Sequence, residues 1–393
     1  MIANLHMNNI HKTFFLIFIG LCPIYVNSSF FFGSQTMRIV QEHFFQFGIC
    51  FLLIFLLDNI WVSLTLALTL FLYAFFNFSG HTYAMNVFMG CLLYYLADQF
   101  LDPKDISTVF KVLIGIALLN LFWICLQLAN MDVLYRSVST MERVTDPVGL
   151  MGIKVCVGMW FALMIPIVAR YNIWATAICF WPIYLSQSSN AMLAGMIGLL
   201  FHVWFHSKRA FYVLLVATVL AGSAYTYQDS KANMMSNRVN LWLETTRDAM
   251  KHPLAGWGLD SFRNVSSVKD FLYFENPITN QIERGHYDKQ NDRFILPFAF
   301  VEAGANVDPW DNPHNLFVSM LYEWGILSFV ILAGIIFDIK RRFTPSNPDN
   351  LAICGFLGVL LLLGIGQFPM FLARIGYLAP IMYVLYRKTG EVL

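Results

Sequence analysis

The sequence predicts an all-α membrane protein, and three features lead to that class. Of its 393 residues, 58% are hydrophobic and only 12% are charged. A soluble chain of this length needs more polar surface than this composition supplies. Apolar runs of roughly 16 to 25 residues recur from end to end, close to the length at which a helix crosses about 30 Å of hydrocarbon. Because lipid offers the backbone no hydrogen-bond partners, the spanning segments are predicted to be helices.

The apolar runs predict about twelve transmembrane helices. Their approximate limits are 13–32, 42–57, 60–78, 82–97, 106–130, 148–168, 171–187, 189–205, 210–226, 313–337, 351–368 and 369–386. Helices 1–9 then occupy residues 1–226, a large outer loop occupies 227–312, and helices 10–12 occupy 313–393. The first run could be a signal peptide, but it is too long and lacks a small-residue cleavage site. We interpret it as a retained helix.

Positive charges predict the orientation of these helices. With the N-terminus in the cytoplasm, ten Lys and Arg residues fall on the cytoplasmic side and three in the short outer loops. The ten are Lys12, Lys104, Arg170, Lys208, Arg209, Lys340, Arg341, Arg342, Arg387 and Lys388, and the three are Arg38, Arg136 and Arg143. This bias follows the positive-inside rule. It places both termini in the cytoplasm and the 227–312 loop outside.

Two further charges fall inside predicted spans. Lys154 and Arg374 lie toward the outer ends of the sixth and twelfth helices. An ionisable side chain is costly in lipid, so each is expected to point into a polar cavity or toward a partner. The alternative is that each extends to the membrane interface.

Composition also bears on possible partners and on the role of the cysteines. The formal net charge of +1 argues against a nucleic-acid partner. All seven cysteines fall within the predicted spans and none has CxxC spacing, so we interpret them as packing residues and not as disulfide or zinc ligands.

The outer loop begins with a predicted surface helix. Residues 237–250 carry apolar side chains at helical spacing, among them Trp242, and Pro253 ends the pattern. Gly256 and Gly258 then allow a tight backbone path that other residues resist. Arg238 opens this helix, whereas Arg247, nine residues later, is interpreted as a solvated charge.

The stretch NPHNLFVSMLYEWG, residues 312–325, places His314 behind a proline at the start of the tenth span. Histidine titrates near neutral pH, which suits a general base at the membrane surface. Taken alone, a histidine at such a boundary is more often an ordinary interfacial residue.

These stretches in combination resemble the O-antigen polymerase and O-antigen ligase superfamily. The resemblance rests on an arginine followed by Leu-Trp, on Pro-Leu-x-Gly-x-Gly-x-x-x-Phe over 253–262, and on His-Asn-x₇-Glu-x-Gly over 314–325. The stretches 142–152 and 185–195 are also similar to the family. The chain departs from it at Ser189-Asn190, where an arginine is frequent, and at Ser328, where many ligases have glycine. The resemblance implies a bacterial inner-membrane glycosyltransferase of GT-C-like fold, with its active site facing the periplasm.

The resemblance also implies roles for individual residues. Such enzymes move a glycan from undecaprenyl diphosphate to a sugar hydroxyl, and arginine side chains match phosphate oxygens well. His314 is expected to be the catalytic base. The expected substrate-binding residues are Arg238, Arg143, Arg374, Lys154 and Asn315, and the expected supporting residues are Glu323, Gly256, Gly258 and Trp242.

We predict that the enzyme needs no metal ion or other cofactor. Many GT-C transferases that bind a cation have paired acids in the first outer loop, whereas here that loop offers only Glu42. Asp308 and Asp311 precede His314, but loop acids are usually solvated or cap a helix. Cationic side chains are expected to supply the electrostatic role of the ion.

Several functions remain open at this point. The preferred one is a polymerase that joins lipid-linked repeat units, with a chain-length regulator as a candidate partner. The alternatives within the superfamily are a ligase that transfers the glycan to lipid A-core and a transferase to protein. A secondary transporter or lipid flippase is the alternative of another class, although transporters usually show a repeat between halves and midplane charges.

Overall fold

The computed structural model describes residues 2–24, 82–131, 149–151, 154–228, 232–258, 261–264, 271–275, 282–288, 293–295, 314–366 and 373–390. Helices dominate these residues, as the sequence predicts. They are α1 (Ile2–Leu21), α2 (Thr82–Phe100), α3 (Ile106–Leu128), α4 (Lys154–Tyr171), α5 (Ala177–Leu185), α6 (Ser189–His206), α7 (Lys208–Gln228), α8 (Ala232–Ala249), α9 (Ser261–Asn264), α10 (Leu316–Trp324), α11 (Leu327–Arg342), α12 (Pro348–Leu363), α13 (Ala373–Gly376) and α14 (Leu378–Thr389).

A small antiparallel sheet lies in the outer loop. Its strands are β1 (Phe271–Glu275), β2 (Ile282–Asp288) and β3 (Arg293–Ile295), in the order β1-β2-β3. Phe271 pairs with His286, which in turn pairs with Ile295. The sequence predicted short helices in this loop, so the strands are a correction. Aromatic and β-branched residues in these segments favour strands. A search for helical spacing of apolar residues does not detect this preference.

Two helical segments in the described part of the chain are long and apolar enough to cross a membrane, Pro103–Leu128 and Lys154–Tyr171. Shorter apolar helices cover His11–Leu21, Trp174–Leu185 and Pro348–Leu363. Helix α6 follows the predicted span 189–205 closely. The predicted spans 42–57 and 60–78 lie outside the described residues, so the total of twelve remains a prediction.

The predicted span 313–337 is not one helix. Helix α10 starts at Leu316 and ends at Trp324, and α11 starts at Leu327. Gly325, between them, has φ +65°, a left-handed conformation that interrupts the helix. His314 therefore lies ahead of the first helical residue and outside the apolar helical segments of membrane-spanning length.

The chain forms two compact units. The first consists of Met1–Leu215, Ile339–Leu363 and Pro369–Leu393, and the second of Val216–Asp338 and Gly364–Phe368. In the first unit α4 is the central helix and packs against α5, α6 and α12. Its side chains from Cys156 to Ile167 are buried almost without interruption. A helix that is apolar all round is expected at the centre of such a bundle.

Polar contacts fasten the helix ends of the first unit. Asn350 is fully buried, accepts a hydrogen bond from Thr344 N at 2.9 Å, and donates to the Arg342 carbonyl at 3.2 Å and to Thr389 Oγ1 at 2.8 Å. This amide joins the end of α11 to the start of α12 and the end of α14. Arg170 forms an ion pair of 2.6 Å with Asp349.

The second unit is built around the packing of α8 against α10. Its described core contains Leu241, Ala249, Phe262 and Tyr322, with Trp257 and Leu321 packed against it. This unit contains Arg238, both glycine motifs and His314.

Candidate functional site

The carboxyl end of α10 is fastened by close backbone contact with the segment 253–258. Gly256 has φ +68°, and a Cβ at this position would lie 2.4 Å from the carbonyl carbon of Glu323. A Cβ at Gly325 would lie 2.4 Å from the carbonyl oxygen of Leu254. Two backbones at this distance leave no room for a side chain. The two glycine motifs in the sequence are therefore the two halves of one contact.

Backbone hydrogen bonds extend this contact. Trp257 N donates to the Tyr322 carbonyl at 2.8 Å, and Gly258 N donates to the Glu323 carbonyl at 2.9 Å. Gly258 has φ +97°, but no atom lies within 4 Å of a Cβ built there. The two predicted supporting glycines thus differ in why a side chain is unfavourable. At Gly256 a side chain would clash with neighbouring backbone and strain the local conformation, whereas at Gly258 only the conformation is unfavourable.

Asp248 completes this end of the helix. Its carboxylate accepts hydrogen bonds from the Tyr322 hydroxyl at 3.1 Å and from Lys251 Nζ at 2.7 Å. Its carbonyl accepts from Trp257 Nε1 at 3.1 Å. The ring of Tyr322 also meets Phe262 edge-on, with the ring centroids 5.5 Å apart. Asp248 and Tyr322 are not identifiable as a pair from the sequence, because an acid near a helix end resembles any solvated surface charge.

The amino end of α10 is capped by Asn315. Its Oδ1 accepts from Phe317 N at 2.9 Å and from Val318 N at 3.1 Å, the usual geometry of a helix cap. Its Nδ2 donates to the Ile365 carbonyl at 2.8 Å. These contacts occupy most of the hydrogen-bonding capacity of the amide, so Asn315 fixes the start of the helix beside His314.

Three successive backbone carbonyls, Gly364, Ile365 and Gly366, form what we call the carbonyl strap. Leu316 N donates to the Gly364 carbonyl at 2.8 Å, and Asn315 holds Ile365. Arg238 Nη1 donates to the Gly366 carbonyl at 3.3 Å. The strap therefore connects Arg238 on α8 with the residues that flank His314. Sequence reasoning did not identify it, because backbone acceptors carry no side-chain signal.

Arg238 lacks a carboxylate partner among the described residues. Its side chain is partly buried, and burial lowers the pKa of its guanidinium. Arginine remains charged despite such a shift, since its usual pKa is so high. The charge is held by one neutral carbonyl at a distance near the long end of the hydrogen-bond range. Such a guanidinium has donors available for an anion.

His314 lies close enough to Arg238 to respond to its charge. Burial lowers the pKa of the His314 imidazole to about 4, and the positive charge of Arg238 contributes in the same direction. The imidazole is therefore neutral near neutral pH, and one nitrogen of a neutral ring carries no proton. His314 also has φ +50°, an uncommon left-handed conformation for a residue other than glycine.

The structure brings some of the predicted site residues together and leaves others apart. Arg238 and Asn315 both donate hydrogen bonds to the strap, and His314 directly precedes Asn315. Glu323, Gly256 and Gly258 lie at the opposite end of α10. Glu323 is buried, and Trp242 is partly buried on α8.

Of the three other predicted cations, two lie in the first unit and one lies outside the described residues. The predicted span 148–168 placed Lys154 inside a helix, whereas Lys154 is the first residue of α4. Its side chain is partly exposed. Arg374 lies in α13, and Arg143 lies outside the described residues. Lys154 and Arg374 are part of the first unit. Their convergence with Arg238 remains a prediction.

Within the described ranges, no group of three or more His, Cys, Asp and Glu side chains is arranged to hold a metal ion. Asp308 and Asp311 lie outside those ranges. The expected metal independence therefore stays a prediction.

Comparison with known proteins places this site in a family. Residues 174–333 match a family model described as O-Antigen ligase, and the matched segment contains Arg238, both glycine motifs and His314. No curated protein and no solved structure matched the chain. Residues 174–333 therefore match a domain of the O-antigen ligase family, whose members are integral membrane, glycosyltransferase-like proteins, and this match supports the O-antigen ligase and polymerase superfamily.

Proposed function

We propose that the protein transfers a glycan from undecaprenyl diphosphate to a sugar hydroxyl at the outer face of the bacterial inner membrane, as a polymerase of lipid-linked repeat units. The observation that carries this proposal is the pair formed by Arg238 and His314. Arg238 offers a positive charge that has no carboxylate partner among the described residues. His314 offers a neutral imidazole.

Arg238 is the proposed ligand of the donor diphosphate. Forked guanidinium donors match phosphate oxygens and form stronger hydrogen bonds with an anion than with a neutral carbonyl. The bond to Gly366 at 3.3 Å is therefore one that a diphosphate can replace. Arg143 and Arg374 are proposed as further diphosphate ligands, with Lys154 behind them.

His314 is the proposed general base. Its neutral imidazole takes the proton of the acceptor hydroxyl as that oxygen attacks the anomeric carbon of the donor. The bond between this carbon and the diphosphate oxygen breaks, and undecaprenyl diphosphate leaves with the electron pair. Asn315 and the strap hold the backbone that presents the ring.

Proximity of the two residues couples donor binding to base strength. The charge of Arg238 lowers the pKa of His314 in the absence of ligand. A bound diphosphate offsets that charge, and the imidazole then holds a proton more strongly. The base thus becomes stronger when the leaving group is in place.

The alternative is a ligase that transfers the glycan to lipid A-core, and the description of the matching family favours it. The HNLFVSMLYEWGIL stretch and Ser328 favour the polymerase. Purified protein supplied with lipid-linked repeat units alone is expected to produce a ladder of elongated glycans. A product that requires lipid A-core would exclude the polymerase and support the ligase.

A further inference from the structure

Four exposed cations lie at one edge of the first unit, and we call them the basic rim. Lys208 and Arg209 begin α7, and Lys340 and Arg341 lie in the last turn of α11. The aromatic ring of Phe343, just beyond α11, packs against Phe205, just before α7, with the centroids 5.4 Å apart. This contact places both pairs of cations at the same edge.

Three other cations of the first unit are engaged by protein groups. Lys12 pairs with Asp105 at 2.7 Å and Asp102 at 3.1 Å, and Arg170 pairs with Asp349 at 2.6 Å. Lys388 donates to the carbonyls of Asp98 and Leu101, both at 2.6 Å.

The basic rim differs from these cations. No carboxylate in the described part of the chain pairs with any of its four members. The ammonium of Lys208 lies 3.9 Å from the ring centroid of Trp204, a cation–π contact that leaves its donors accessible. The rim therefore presents positive charge that no carboxylate of the described residues neutralises.

Each cation of the rim has an exposed apolar neighbour one helical turn away. Tyr212 and Val213 follow Lys208 and Arg209 by four residues and are 58% and 73% exposed. Ile336 and Phe337 precede Lys340 and Arg341 by four residues and are 47% and 68% exposed. Residues four apart share a helix face. Each face thus passes from apolar to cationic within one turn.

We propose that the basic rim binds the phosphate groups of anionic phospholipids in the leaflet predicted to be cytoplasmic. The apolar side chains contact the acyl chains, and the cations contact the head group. This order along each helix fits a lipid and does not fit a free phosphate, which has no apolar part. Each cation near an anionic membrane surface strengthens binding by about fivefold.

The test measures lipid retention by the full-length protein. The protein is equilibrated with a mixture of phosphatidylglycerol and phosphatidylcholine, and the lipids that remain bound are counted by native mass spectrometry. Wild-type protein is expected to retain phosphatidylglycerol about tenfold more than phosphatidylcholine. The double variants K208Q/R209Q and K340Q/R341Q should each lose most of this preference.

The matched control is Lys104→Gln. Lys104 is also exposed and also predicted to be cytoplasmic, but its ammonium lies 3.4 Å from Asp102. This variant should retain the wild-type preference. Equal retention of the two lipids by wild type, an unchanged preference in both double variants, or displacement of the lipid by millimolar inorganic phosphate would overturn the proposal. A thermal melt of each variant in the same detergent separates loss of lipid from loss of fold.

Discussion

The two ends of α10 differ in how they are held. At the carboxyl end, backbone contacts through Gly256 and Gly325 and the Tyr322–Asp248 bond hold the helix without any ligand. At the amino end, the side chain of Arg238 rests on one carbonyl, and His314 has a strained backbone. One nine-residue helix therefore combines a structural anchor at its carboxyl end with an amino end where a guanidinium has donors left for substrate.

The largest effect is expected from His314→Ala. Removal of a general base costs about a thousandfold in transfer rate, because the acceptor proton then has no positioned acceptor. Donor binding should remain nearly unchanged, since the variant retains Arg238. Single-turnover rates and donor affinity are measured on the same preparation. Transfer at the wild-type rate would show that His314 is not the base.

Arg238→Ala should weaken donor binding by about tenfold to a hundredfold, as expected for the loss of a charge-assisted hydrogen bond. Arg238→Lys keeps the charge but not the fork, and should have an intermediate affinity. Binding of an undecaprenyl diphosphate-linked donor is the measurement. An affinity equal to that of wild type in both variants would remove the diphosphate role.

At the other end of the helix, Gly256→Ala should lower the stability of the folded protein and leave the transfer rate of the folded enzyme unchanged. The new Cβ meets Glu323 backbone atoms at 2.4–2.5 Å, and the left-handed conformation adds about 1–2 kcal/mol. Gly258→Ala is the control, because it incurs only the conformational cost in open space. The midpoint temperature of thermal unfolding in detergent should therefore fall further for Gly256→Ala than for Gly258→Ala. An equal loss in the two variants would contradict the close contact.

The pH dependence of activity tests the charge coupling. With the His314 pKa at about 4, kcat/KM should not fall between pH 7 and 5 through this group. In Arg238→Gln the pKa rises because a positive neighbour is removed, but it stays below 6.5 because burial, the larger cause, remains. The fall in kcat/KM on the acid side of the pH profile should therefore occur at a higher pH in the variant than in the wild type. A wild-type fall near 6.5 would contradict the account.

The smallest effect is expected from Tyr322→Phe. The variant loses one hydrogen bond to Asp248 and keeps the ring contacts with Phe262, so it should lose about 1 kcal/mol of stability. Its transfer rate should stay near that of wild type. A large loss of rate without loss of stability would connect this end of α10 to the chemistry.

The helical class and the helix α6 were predictable, because long apolar runs specify helices in lipid whatever their partners. The break at Gly325 was not, since a glycine in an apolar run also suits close helix packing, and only the approach of Leu254 shows its role. Arg238 and His314 were found through their motifs. The strap at 364–366 was not, because it acts through backbone carbonyls that any sequence supplies.

The most direct test of the central claim is an electron cryo-microscopy structure with a lipid diphosphate donor analogue and an acceptor sugar. We expect the diphosphate to contact the Arg238 guanidinium in place of the Gly366 carbonyl, and the His314 imidazole to lie within about 3 Å of the acceptor hydroxyl. A diphosphate bound away from Arg238, or an imidazole facing hydrocarbon, would contradict the central claim.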